Sequence, residues 1–134
     1  MNEFFNRVKN VVDEVEQEQS PLTLAALVLR ADSETQWLYD FIVSAPWIIE
    51  RGKVWAYTYL KQKLSKVLEK EDWAQVSRML VMNPKEDFVQ ELQKLADSAG
   101  YDISNLRVAG IDVRFAHVFA THSDMPARTA QANA

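Results

Sequence analysis

Apolar residues at the start of the chain recur every three or four positions, with charged residues between them. They are Phe4, Phe5, Val8, Val11, Val12 and Val15. This period predicts an amphipathic first helix. We expect the helix to end at Ser20-Pro21, because a residue that precedes proline is disfavoured in helical geometry.

Two strands are predicted to follow and to pair as a hairpin. Residues 22–30 (LTLAALVLR) are almost all apolar, which indicates a central strand covered on both faces. Residues 37–44 (WLYDFIVS) follow a polar turn and alternate in character. Alternation places Trp37, Tyr39, Phe41 and Val43 on one face, and Leu38, Asp40, Ile42 and Ser44 on the other.

Helical spacing returns from Val54 to Leu68, and a short apolar strand follows at residues 76–82 (VSRMLVM). The core face of this helix is predicted to be Val54, Tyr57, Leu60, Leu64, Val67 and Leu68, with Lys61, Lys63, Lys66 and Lys70 pointing mostly outward.

A third helix is predicted after that strand. Asn83 is expected to cap it, with Pro84 in its first turn and Glu86 completing a capping box. Gly100 is a natural terminator. The predicted core face is Phe88, Val89, Leu92, Leu95, Ala96 and Ala99.

The last two strands, residues 103–108 and 111–122, surround a turn at Gly110. Alternation in the final strand would place Ile111, Val113, Phe115, His117 and Phe119 on one face.

The order of elements is therefore α-β-β-α-β-α-β-β. It predicts the α/β (α+β) class, with a single mixed sheet of about five strands and three helices. Residues 1–122 would form one domain, as the length of 134 residues suggests. Residues 123–134 have almost no large apolar side chain, and we expect a flexible tail.

Composition excludes several kinds of chemistry. The chain has no cysteine, so disulfides, thiolate metal sites and a cysteine nucleophile are excluded. The formal charge of −4 argues against nucleic-acid binding. No stretch has the length of a membrane span, and the first 20 residues do not have a leader pattern. We therefore expect a cytoplasmic protein that does not enter a membrane.

The candidate catalytic residues have ordinary structural explanations. Ser44 ends a strand, but its surroundings are Val-Ser-Ala-Pro-Trp and not the Gly-x-Ser-x-Gly of a nucleophile elbow. His117 alternates with apolar residues, which is typical of a core histidine, and His122 would point to the opposite face. No spacing predicts a metal site. The turn at residues 81–88 lacks the glycines of a phosphate-binding loop, so we expect no cofactor.

Asp40 is the one acid whose position is costly without a partner, because its strand neighbours are apolar. The predicted partner is Arg78 or Arg107. The order of elements is also similar to that of metal-dependent nuclease cores, but no Asp-x-Lys or Glu-x-Lys triplet occurs on a predicted strand.

Large apolar side chains crowd the junction after Pro46. Trp47, Ile48, Ile49 and Trp55 either cover the end of a core or form an interface, in which tryptophan is enriched. The edge strands of an open sheet are a second place where another chain could bind.

Three functions remain open on the sequence alone. The first is a non-enzymatic protein-binding or adaptor domain, expected to form a homodimer through Trp47, Ile48, Ile49 and Trp55 or through an edge strand. The second is a small ligand-binding protein or enzyme, with Asp40, Arg78 and Ser44 at the carboxyl ends of the strands. The third is a nucleic-acid-binding or nuclease-like module, which the lysines of the middle helix would serve.

Overall fold

The structure is a computed structural model and describes residues 3–31 and 38–122. It contains five helices and five strands in these residues. In chain order they are α1 (Glu3–Glu18), β1 (Leu24–Arg30), β2 (Tyr39–Ser44), α2 (Pro46–Arg51), α3 (Lys53–Ser65), α4 (Lys70–Trp73), β3 (Val76–Met82), α5 (Asp87–Ala99), β4 (Asp102–Val108) and β5 (Ile111–Thr121). The predicted tail at 123–134 and the predicted start of β2 at Trp37 lie outside the described residues.

The five strands form one mixed sheet in the order β3-β2-β1-β5-β4. β1 is central and antiparallel to both β2 and β5, while β4 is antiparallel to β5. β2 and β3 are parallel, since the chain between them crosses over through α2, α3 and α4. The predicted α/β class, the mixed five-stranded sheet, the hairpin of the first two strands and the central place of the first strand are confirmed.

Helices cover both faces of the sheet, which explains why the side chains on both faces of β1 are apolar. α1, α2 and α3 pack on one face, around Phe4, Phe41 and Leu60. α5 packs on the other face, around Leu92, Ile42 and Val118. No helix in residues 3–31 and 38–122 is long and apolar enough to cross a membrane.

The chain between β2 and β3 differs most from the prediction, which had one helix where the structure has three. α2 begins at Pro46, because proline is suited to the first helical position and Ala45 before it takes the extended geometry that proline favours (φ −165°, ψ 154°). Gly52 then adopts a φ of +92°, which ends α2 and lets α3 start in a new direction.

The buried face of α3 also differs from the prediction. Val54 is 82% exposed and Tyr57 is 41% exposed, whereas both were predicted to be core residues. Leu60 and Leu64 are buried as predicted, and Ala56 is buried with them. Successive residues of a helix are about 100° apart, so Val54 lies on the opposite side of α3 from Ala56 and outside the core.

Lys63 is the one lysine of α3 that turns inward. Its side chain is 15% exposed and its Nζ pairs with Glu18 of α1, and with Glu14 at 3.5 Å. The hydrogen bond from Lys63 is the largest cause that lowers the pKa of Glu18, and the hydroxyl of Tyr59 contributes as well. The outward face of α3 therefore has fewer free lysines than the sequence suggests.

The third predicted helix, α5, begins one turn later than expected. Residues 83–86 form a turn in which the Asn83 N–H donates to the Glu86 side chain (2.8 Å) and the Lys85 N–H donates to the Asn83 side chain (2.8 Å). The side-chain pairing predicted as a capping box therefore closes this turn, and the helix starts at Asp87. Gly100 ends α5 as predicted, although Ala99 is exposed and Leu95 only half-buried.

Two bulges interrupt the predicted alternation of β5. Its register with β1 shifts between the pairs Leu29–Phe115 and Arg30–Val113, and again near Ala120. A bulge places consecutive residues opposite one partner and so reverses which face the following side chains meet. Val113 consequently packs on the α5 side and Phe115 on the α1 side, instead of sharing a face.

Candidate functional site

β3 is an edge strand that lacks the usual protection of such strands. Edge strands generally carry proline, lysine or inward charges that prevent another strand from pairing with them. β3 reads VSRMLVM, with no proline and with Arg78 as its only charge, and residues 79–82 are half-buried. The other edge strand, β4, is interrupted by Asn105 at a φ of +54° and carries exposed Asp102 and Arg107.

A groove runs along β3 on the side where α3 packs. It has a volume of about 310 Å³ and is lined by Lys53, Val54, Tyr57, Thr58, Met79, Leu80 and Val81. The exposed apolar side chains of Val54 and Tyr57 form its helical wall, and Met79 and Val81 form its strand wall. We call this feature the α3–β3 groove.

A second, smaller cavity of about 70 Å³ lies beside β3 on the α5 side of the sheet. α5 packs mainly on β4 and β5, and the α5 side of β3 is therefore only partly covered. The cavity is lined by Val28, Arg30, Asp40, Ile42, Arg78, Leu80, Met82, Phe88 and Ile111. Within residues 3–31 and 38–122, no strand pairs with the outer edge of β3, and both of its faces are only partly covered.

The small cavity contains an ion cluster centred on Asp40, which is 2% exposed. The Nε of Arg30 donates to Asp40 Oδ2 at 2.9 Å, and the Nε of Arg78 lies 3.2 Å from Oδ1. The second contact is an ion pair without good hydrogen-bond alignment. Two guanidinium groups therefore share this buried carboxylate.

Of the two arginines predicted as partners of Asp40, the structure places Arg78 beside it, whereas Arg107 pairs with Asp112 (3.7 Å). Arg30 was missed. The sequence could have indicated Arg30, because it stands at the end of the apolar run 22–30. Hairpin pairing brings that end close to the start of β2, where Val28 lies opposite Asp40.

Ser44 is far from Asp40 and Arg78. Asp40 and Arg78 are near the amino ends of the parallel strands β2 and β3, while Ser44 is at the carboxyl end of β2. Ser44 is four positions further along the strand than Asp40, a distance of about 13 Å. The expectation that all three lie together at the carboxyl ends is therefore wrong. The Ser44 hydroxyl is buried, and it has no hydrogen bond to the residues that the structure describes.

The two histidines do not share a site. His117 Nδ1 contacts Asp102, and His122 Nε2 lies 3.1 Å from Glu16. His117 thus links β5 to β4, and His122 links the end of β5 to α1. Within the described part of the chain, no three histidine, aspartate or glutamate side chains are grouped so that they could hold a metal ion.

The structure divides the four apolar residues at the α2–α3 junction into two pairs. Trp47 and Ile48 are 7% and 1% exposed and belong to the core, whereas Ile49 and Trp55 are 54% and 37% exposed. The rings of Trp55 and Tyr59 stack at 5.1 Å, and Arg51 lies over Trp55 at 4.3 Å. A binding role for these residues stays a prediction, and only Ile49 and Trp55 offer surface for it.

The residues of the α3–β3 groove were not singled out from the sequence. Val54, Trp55 and Tyr57 are neighbours in the chain, and a helix cannot turn all three toward one core. Apolar side chains on different sides of α3 therefore indicated that some of them would be exposed.

Comparison of this chain with protein-family models, curated proteins and solved structures found no match.

Proposed function

We propose that this chain is a non-enzymatic protein-binding domain that takes an extended segment of another protein as an additional strand beside β3. The observation that carries the proposal is the unprotected apolar edge of β3 next to the α3–β3 groove. In strand addition, backbone hydrogen bonds supply affinity and pockets for alternate side chains supply specificity.

The surroundings of β3 support both parts of this binding mode. β2 pairs with one side of β3, so the polar backbone groups on its outer side are available to a sixth strand. Side chains of an added strand would alternate between the two faces of the sheet. One set would enter the α3–β3 groove, and the other would cover Leu80 and Met82 at the small cavity.

Self-association is the competing use of the same edge. A two-fold dimer through β3 would bring the outward face of α3 toward its own copy. Lys61 and Lys66 lie beside Tyr57 and Thr58 of that face, and like charges that meet across an interface oppose association. A segment of a different protein is therefore the better-supported occupant. A cytoplasmic location stays a prediction.

The other two hypotheses have less support. A ligand-binding or catalytic site needs several polar groups that converge in one cavity. Ser44, however, lies far from the Asp40 cluster. A nucleic-acid surface would need free cations, and Lys63 is paired with Glu14 and Glu18.

The proposal is tested with a displayed library of linear 12-residue peptides. Peptides enriched on the native chain are labelled, and their affinities are measured by fluorescence anisotropy. We expect Tyr57→Ala to weaken binding at least tenfold, since aromatic side chains dominate such interfaces. Tyr101→Ala is the matched control, because Tyr101 is also exposed (49%) but precedes β4 at the far end of the sheet.

Light scattering of the free chain accompanies these titrations. If enriched peptides bind Tyr57→Ala and Tyr101→Ala equally well, or if no peptide binds, the proposed function is wrong. A native chain that is dimeric, and that Tyr57→Ala makes monomeric, would show that a second copy occupies β3.

A further inference from the structure

The direction of α3 determines which part of it lies beside each end of β3. β2 and β3 are parallel, so the chain must return from the carboxyl end of β2 to the amino end of β3. α3 lies on this return and runs opposite to β3. Val54 and Tyr57 line the groove with residues 79–81, and Lys61 lies one helical turn further on, toward the amino end of β3.

Free positive charge is concentrated at that amino end. Lys61 is exposed and has no ion pair within the described residues. Arg78, the third residue of β3, has a side chain that is 49% exposed, and its nearest contact with Asp40 is from Nε, 3.2 Å from Oδ1. A guanidinium has five N–H donors, so this half-exposed side chain can still donate to another acceptor.

The carboxyl end of β3 has a different character. Lys53 is the cation that lines the groove there, and the carboxylate of Glu86, 3.6 Å from its Nζ, offsets part of its charge. Apolar side chains also lie around this end: Val54 and Tyr57 on α3, and Leu80 and Met82 on the α5 side of β3.

We propose that the segment bound at β3 is bipartite, with acidic residues opposite the amino end of β3 and apolar residues opposite its carboxyl end. This inference rests on the proposed function. Carboxylates of the segment meet Lys61 on the α3 side and Arg78 on the α5 side. Arginine is suited to that role, since its planar fork binds a carboxylate in bidentate fashion.

The distribution of charge along the chain supports an acidic segment at this place. The chain carries −4 overall, yet residues 53–66 contain four lysines and no aspartate or glutamate. Lys53 and Lys63 of this stretch have carboxylate partners, whereas Lys61 and Lys66 have no ion pair among the described residues, so an acidic segment is attracted to these two lysines. Complementary potentials of this kind select the register of a partner as well as its identity.

Charge reversal at one lysine tests the inference. We expect the peptides enriched from the 12-residue library to carry acids toward one end and apolar residues toward the other. Lys61→Glu should weaken their binding at least tenfold at low salt, and less at 1 M salt because exposed charges are screened. Lys94→Glu is the matched control, since exposed Lys94 lies on α5 and its reversal changes the net charge equally.

The outcomes separate the inference from the function on which it rests. Equal losses in Lys61→Glu and Lys94→Glu, or enriched peptides without acids, would overturn the inference. Dependence of the same peptides on Tyr57 would still support strand addition at β3. Peptides that depend on neither Tyr57 nor Lys61 would overturn both.

Discussion

Replacing Phe41 with alanine is expected to reduce the free energy of unfolding by about 3–5 kcal/mol, as truncation of a buried aromatic side chain does. Phe41 is 2% exposed and lies in the middle of the sheet, between Leu27 of β1 and Met79 of β3. Its ring fills the core between the sheet and α1–α3. Urea unfolding followed by circular dichroism measures the loss.

Tyr57→Ala is the control for this measurement. Tyr57 is an aromatic residue on the surface of α3, and its truncation should change the free energy of unfolding by no more than about 0.5 kcal/mol. A loss below about 1 kcal/mol in Phe41→Ala would mean that the Phe41 ring is not enclosed. A large loss in Tyr57→Ala would mean that Tyr57 supports the fold, and its effect on binding could not then be attributed to the groove.

Asp40→Asn is expected to destabilise the fold. The substitution keeps the shape of the side chain but leaves Arg30 and Arg78 without their shared counter-charge. Breaking a fully buried ion pair costs about 3–5 kcal/mol. The two arginine side chains are 28% and 49% exposed, so water compensates part of this cost and we expect about 2–3 kcal/mol.

The matched variant is Asp112→Asn. Asp112 pairs with Arg107 at 3.7 Å, and both side chains are more than half exposed, so the change should be within about 0.5 kcal/mol. Similar free energies of unfolding for the two variants would show that the cluster around Asp40 does not contribute to stability.

Much of the fold could be predicted because its signals are local. A short unbroken apolar run bounded by proline and polar residues favours a strand covered on both faces, and residues 24–29 are indeed buried in the centre of the sheet. The six buried residues of α1 are the six that the spacing predicted. β3 begins and ends at the predicted residues, because Asn83-Pro84 marks where it must stop.

The errors occurred where a local rule depends on geometry elsewhere in the chain. The bulges of β5 arise from its register with β1, and its own sequence still alternates. The short helix α2 was not predicted, although proline favours the first helical position. These errors concern which face of the sheet some side chains of β5 occupy and how many helices lie between β2 and β3. They do not change the fold class.

The candidate site could be predicted only in part. Asp40 and Arg78 are recognisable because a charge in an apolar strand needs a partner. The role of Val54 and Tyr57 is not recognisable in this way, since an exposed apolar residue and a core residue have the same chemistry. Whether Val54 and Tyr57 are exposed or buried depends on where α3 begins and on the position of β3 at the edge of the sheet.

An N-methylation scan of an enriched peptide tests strand addition at β3 most directly. Each backbone amide of the peptide is methylated in turn, and the affinity for the native chain is measured by anisotropy. In an added strand, alternate N–H groups point toward β3 and the others point away. We therefore predict losses of at least tenfold at every second residue, with small effects between them. Losses without this alternation, or none at all, would contradict the proposal that the segment binds as a strand.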